Sequence, residues 1–182
     1  MNEKTALIVI DVQEGMFNEA FPVHGGQCLL GRLGQLIQQA RVTGTPVIYV
    51  QHRGNTDQHP LFPAGPGFPV HHAIAPQTDE LVVQKTTPDS FFETNLNDEL
   101  QRRGINQLVV CGIQTDYCVD TTVRRAFSLG YKITLVQNGH STWPDSGLSA
   151  DQIIAHHNAV LGNWFADVKP AEQIEFSWLS RL

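Results

Sequence analysis

The chain has 182 residues, 41% of them hydrophobic and 16% charged, with a formal net charge of -6. That composition suits one globular domain with a real core, and a single domain over residues 1–182 is expected. No basic run and no interleaving of basic with aromatic residues occurs, which argues against nucleic acid or an anionic membrane surface as a partner.

The opening MNEKTALIVIDVQ holds an apolar run too short for a signal peptide, and Asp11 interrupts it. No stretch approaches the length of a membrane-spanning helix. The 3 cysteines lack metal-type spacing, so free thiols in a reduced, cytoplasmic compartment are expected. ALIVI (6–10) reads as a buried strand ending at Asp11. Residues 25–42 place Leu29, Leu33, Leu36, Ile37 and Ala40 at helical spacing, and Gly44 stops that helix. PVIYV (46–50) and LVVQK (81–85) read as the next strands. Between them, residues 54–77 are rich in Pro, Gly and His, a long connection of the kind that forms lids and binding loops. Thr94 is the expected cap of a short helix holding Leu96 and Leu100, closed by Gly104. QLVVCGI (107–113) is a strand, followed by a helix with Val119, Val123, Ala126 and Phe127 as its apolar face. KITLV (132–136) is another strand. Ser149 or Asp151 opens a helix carrying Ile153, Ile154, His157, Val160 and Leu161, and a weak final strand is expected near Ile174 to Phe176.

Strands this apolar are buried on both faces, and their alternation with helices implies parallel βα units in a three-layer α/β/α sandwich. In such a sheet ligands bind beyond the carboxyl ends of the strands. Asp11, Lys85 and Cys118 fall there. A thiolate is a nucleophile whose pKa is lowered by a helix start and a nearby cation, and a carboxylate can take and return its proton. Backbone N–H groups in the elbow before Cys118 suit an oxyanion. Taken singly, each residue has a plainer reading: a turn Asp, a solvated Lys, a packed Cys. Cys28 and Cys111 keep that plainer reading.

IDVQEGMF (10–17), VVQKTTPDSFFETNL (82–96) and GIQTDYCVDTTVRRAFSLGY (112–131) together resemble the isochorismatase-like cysteine hydrolases, with GHST (139–142) and QIIAHHN (152–158) in keeping. The resemblance implies a parallel six-stranded sheet in the order 3-2-1-4-5-6 and a triad of Asp11, Lys85 and Cys118. It implies a cis peptide between Ile113 and Gln114, with the amides of Gln114 and Cys118 as the oxyanion hole. The implied reaction is hydrolysis of a small-molecule amide, lactam or ureide C–N bond through a thioester, by a homo-oligomer, a dimer or higher.

Alternatives are a vinyl-ether hydrolase of the isochorismatase type without a covalent step, or a silent scaffold, which should have lost the nucleophile or base. A papain-like pairing of Cys118 with His52 or His140 leaves Asp11 and Lys85 without a task. Related nicotinamidases hold a divalent metal with an Asp-x-His pair after the second strand and a later His. Here the first position reads Gln51-His52-Arg53, and His71 alone could fill the later one, so neither metal nor other cofactor is expected. His71 and His72 are read as loop or interface residues. Gln13, Phe17, His52, Phe91, Phe92, Tyr117 and Trp143 are candidates to line the substrate pocket.

Overall fold

The computed structural model describes residues 3–176, so the expected domain of residues 1–182 runs past them at both ends. In chain order come β1 (Thr5–Ile10), α1 (Gly26–Val42), β2 (Val47–His52), β3 (Leu81–Lys85), α2 (Leu96–Arg102), β4 (Gln107–Ile113), α3 (Asp120–Ser128), β5 (Lys132–Ser141), α4 (Ala150–Trp164) and β6 (Asp167–Lys169). The strands form one sheet in the order β3-β2-β1-β4-β5-β6, and every pairing is parallel.

The period-2 alternation of side chains explains why the central strands β1, β2 and β4 are apolar on both faces. Leu7 and Val9 of β1 join Val47 and Tyr49 of β2 and the buried stripe of α1 on one face. Ala6, Ile8 and Ile10 join Leu96 and Leu100 of α2, Val123 and Ala126 of α3, and Leu161 of α4 on the other. Each fully buried Leu, Ile or Val contributes about 1.5–3 kcal/mol, so both faces need such residues to offset chain ordering.

The helices end as their sequences dictate. Gly44 and Gly104 take φ of 70° and 67° just past α1 and α2, a left-handed turn that costs glycine little. Ser149 caps α4 in a reciprocal capping box with Gln152, deciding between the two expected starts. Thr94 acts one residue earlier than expected. Asn95 occupies the N-cap position of α2 without a side-chain bond, and the Thr94 hydroxyl accepts from Leu96 N at 3.3 Å.

Two elements depart from the sequence reading. The last strand is Asp167–Lys169, where only Val168 is apolar, so hydrophobic periodicity could not signal it. Ile174 and Phe176 are buried, but they pack into the α1-side core after a 3₁₀ turn at Ala171–Gln173 and form no strand. Strand β5 also runs to Ser141, past the expected Val136, because Ile113 of β4 still pairs with Ser141 after a register shift between Val110 and Gly112. Gly112 is obligatory there: its φ is 130°, and a Cβ would run into the Ile10 carbonyl.

The order places β1 and β4 side by side at the centre, with the chain leaving β1 toward one edge and β4 toward the other. The crevice beyond their carboxyl ends is the topological switch point of the sheet.

Candidate active site

Asp11 follows β1 directly. Its N–H bonds to Val50 O at 2.9 Å, and its φ of 51° turns the side chain back over the sheet edge. A non-glycine residue in this region is uncommon, and such strain is concentrated at functional sites. Cys118 lies in a π-type turn, Thr115–Val119, between β4 and α3. The apolar stripe then runs through Val119, Val123 and Ala126, while Phe127, expected on it, is 40% exposed and only edges onto Phe165. Lys85 ends β3, two strands from Asp11, and its side chain crosses above β2.

The three side chains meet. Lys85 Nζ lies 2.7 Å from Asp11 Oδ2, with both side chains fully buried, and donates to Cys118 Sγ at 3.1 Å and Thr87 O at 3.1 Å. The Lys85 ammonium is the charge partner of Asp11, whose two oxygens have no well-aligned hydrogen bond among the described residues. A buried carboxylate held by a single ion pair is costly and rare. Burial opposes the charge on Lys85, but Asp11 and Cys118 outweigh it and hold the ammonium above its usual range.

The resting thiol differs from the expectation. Burial first, then the Asp11 carboxylate, pushes Cys118 up to about 12, and Lys85 offsets only part of this. At neutral pH the resting group is therefore a thiol beside a carboxylate rather than a standing thiolate. The helix start, the cation and the carboxylate were all legible in the sequence; the depth of burial, which lets the carboxylate outweigh the cation, was not. Cys111 is a packed core thiol, pushed up by burial and directed at Ile8 O at 3.5 Å. Cys28, expected to pack, is exposed on α1.

The elbow is held from behind. The Ile113–Gln114 peptide is cis. Gln114 O accepts from Tyr117 N at 3.3 Å and Val119 N at 2.9 Å. Thr115 Oγ1 and His140 Nδ1 are 2.8 Å apart, and His140 Nε2 sits 3.0 Å from Asn158 Oδ1 of α4. His140 is thus engaged by Thr115 and Asn158, which leaves the papain-like pairing with it without support. Burial pushes His140 down to about 4. The unfolded chain takes up a proton here near pH 6.5, and the folded chain refuses it until about pH 4. Stability should therefore fall by about 3 kcal/mol as pH drops through that window, at 1.36 kcal/mol per pKa unit. Denaturant unfolding at pH 7 and pH 4.5 checks this, with His140→Gln expected to flatten the dependence.

A cavity of about 450 Å³ opens over Cys118 and Asp11. Of the candidates for its lining, His52, Tyr117 and Trp143 are there, beside Gln114. The others are elsewhere. Gln13 is fully buried: its amide donates to His52 O at 3.1 Å and Phe68 O at 2.7 Å and accepts from His52 N at 2.8 Å, so it clamps β2 to the long loop. Phe17 packs edge-on against His71, and Phe91 lies in the core against Tyr131. Phe92 is 52% exposed. Residue type could not separate these aromatics. The lining that was missed includes Met16, Phe21, His59, Pro60, Leu61 and Pro88. The unusual length of the 54–77 loop was the available signal for His59, Pro60 and Leu61. A larger cleft, about 770 Å³, lies between α1 and α4 around His24, Cys28 and Asp151, away from the triad.

The residues do not fit the divalent metal of the nicotinamidases. The Gln51 amide nitrogen donates to Phe68 O at 3.0 Å, and a neutral amide stands where those enzymes place a carboxylate. His71 Nδ1 accepts from Ala73 N, which puts its proton on Nε2, facing Glu14 Oε2 at 3.6 Å. His72 also engages Glu14, through Nδ1 at 2.8 Å, so these histidines pin a loop.

A parallel doubly wound sheet with a buried carboxylate, ammonium and thiol converging at its switch point defines a hydrolase of the cysteine type. The Isochorismatase domain model matches residues 5–160, and the chain belongs to the isochorismatase family. It is 35% identical to an uncharacterized isochorismatase family protein, YddQ, of Bacillus subtilis (strain 168), over 92% of this chain and 97% of that one. It is 34% identical to a streptothricin hydrolase of Streptomyces noursei over 76% of this chain, and the match spans 50% of that protein. A crystal structure of a cysteine hydrolase from Pseudomonas syringae pv. phaseolicola 1448A superposes with a TM-score of 0.87 at 26% identity, covering 93% of this chain and 90% of that one.

Proposed function

We propose that this hydrolase cleaves a small-molecule C–N bond of an amide, lactam or ureide through a thioester on Cys118. The convergence of Asp11, Lys85 and Cys118 within hydrogen-bonding reach carries the reading. Asp11 takes the Sγ proton as the sulfur pair attacks the carbonyl carbon, and the C=O pair moves onto oxygen. That oxyanion meets the N–H groups of Gln114 and Cys118. Gln114 N has no acceptor among the described residues and so stands available. Collapse breaks the C–N bond as Asp11 returns the proton to the departing nitrogen. Asp11 then draws a proton from water, which attacks the thioester and releases the acid and the thiol. Proton transfer to Asp11 in the attack step meets the requirement set by the protonated resting thiol. Lys85 keeps the Asp11 carboxylate charged and steadies the sulfur.

The C–N reading is favoured over vinyl-ether hydrolysis because a nitrogen leaving group needs the proton that Asp11 has just acquired. A panel of small amides, lactams and ureides, assayed for released ammonia or amine and acid-quenched for intact mass, tests it. An acyl adduct mapping to Cys118 is expected, with equal turnover in the presence of a chelator. Turnover with no adduct under rapid quench, and chelator sensitivity, would each count against it.

A further inference from the structure

Two histidines line the cavity, and each has its tautomer fixed by a group that can only donate. His52 Nδ1 lies 3.5 Å from the Lys85 ammonium. His59 Nδ1 accepts from Leu61 N at 3.0 Å. An ammonium and a backbone N–H offer no lone pair, so both Nδ1 atoms carry the free pair and both protons sit on Nε2. Neither Nε2 has a hydrogen-bond partner among the described residues, and neither is a buried unsatisfied atom. Both donors are therefore left without a protein acceptor, on two rings that line the cavity.

The rings are held in place. Their centroids are 5.5 Å apart, tilted by 31°. Gln13 fixes the His52 backbone from both sides. Gly54 lies so close under the His59 ring that a Cβ there would meet it at 2.5 Å, and Gly54 N bonds Leu61 O at 3.0 Å. Burial and Lys85 lower the pKa of His52, which keeps that ring neutral.

We propose that the Nε2–H groups of His52 and His59 form a two-donor subsite for a carboxylate carried by the substrate. The proposal rests on the hydrolase reading above and names its substrate class: a short acid bearing an amide. Two donors set on rings 5.5 Å apart bracket the two oxygens of a carboxylate. They oppose a terminal amide, whose NH₂ would face a donor. Ligand atoms of His52, Asp11 and Cys118 lie within 4.8 Å of one another, so the subsite borders the nucleophile and only a few bonds separate carboxylate from scissile carbonyl. Lys85 pairs with Asp11 at that end, which reduces the repulsion an added anion meets.

The test pairs succinamate with succinamide, the same skeleton with a carboxylate or a second amide. Binding is measured calorimetrically on full-length Cys118→Ala, and imidazole ¹⁵N shifts are followed by NMR. Succinamate should bind about tenfold tighter, as expected for a charge-assisted bond against a donor–donor clash, and should shift both Nε2 resonances. His59→Phe, which keeps a flat ring over Gly54, should erase the preference, and His59→Gln, which keeps an N–H donor, should restore most of it. Absence of succinamate binding, equal binding of the pair, or a preference unchanged in His59→Phe would overturn the proposal. Hydrolysis by Cys118→Ala would instead sink the thioester reading and leave this comparison readable.

Discussion

Cys118→Ala should lose roughly 10⁴-fold or more in kcat on any small amide the wild-type chain hydrolyses, because removing the nucleophile of a covalent mechanism leaves only binding and oxyanion stabilisation. The fold should survive. Cys118 lies at the floor of a cavity, and alanine there removes one sulfur without stranding a polar atom in the core. Lys85 keeps its contacts with Asp11 and Thr87. The melting temperature should shift by no more than about 5 °C, as for a substitution costing near 1 kcal/mol. Circular dichroism and ammonia release on one preparation check both halves. A folded Cys118→Ala enzyme with near-normal turnover would bring forward hydrolysis without a covalent step, with Asp11 activating water directly.

Lys85→Met should damage stability as well as rate. The ammonium and the Asp11 carboxylate are both fully buried, and removing one partner strands the other charge. Breaking such a pair costs about 3–5 kcal/mol, whereas replacing both partners costs far less. Asp11→Asn/Lys85→Met should therefore be more stable than Lys85→Met alone in denaturant unfolding. Asp11→Asn by itself should cut turnover by about 10²–10⁴, the usual worth of a positioned acid–base group, since an amide cannot carry the proton between sulfur and nitrogen. If Lys85→Met unfolds at the wild-type midpoint and retains activity, the ion pair is neither a structural nor a catalytic necessity.

Much of this was legible in the chain, for physical reasons. Runs such as ALIVI and LVVCGI are apolar throughout because their strands are covered on both faces, and the α1 stripe of Leu29, Leu33, Leu36, Ile37 and Ala40 repeats at helical period because one side is buried. Strand-end position singled out Asp11, Lys85 and Cys118. What periodicity could not carry was distance: nothing local says that a lysine two strands away crosses to Asp11. Strand β6, with one apolar residue, gave no pattern to read. Tyr117 and Trp143 line the cavity, but the candidates Phe17, Phe91 and Phe92 do not, because a phenylalanine wants burial wherever it finds it; Phe91 found the core and Phe21 the cavity rim. The Cys118 pKa was misjudged for a related reason, since desolvation depends on packing from elements remote in sequence.

Strand β3 is an edge strand, hydrogen-bonded to the sheet on one side only. Such strands fray first and offer a template for pairing with another chain. Here the last residue of that strand sends its side chain past its neighbour to the central one, where it is held by an opposite charge. The lysine of the proposed triad is thus also a rivet. On the mechanism proposed above, a molecule whose edge has peeled away has lost the partner of its base, so the state most exposed to misassembly would also be one that cannot turn over substrate.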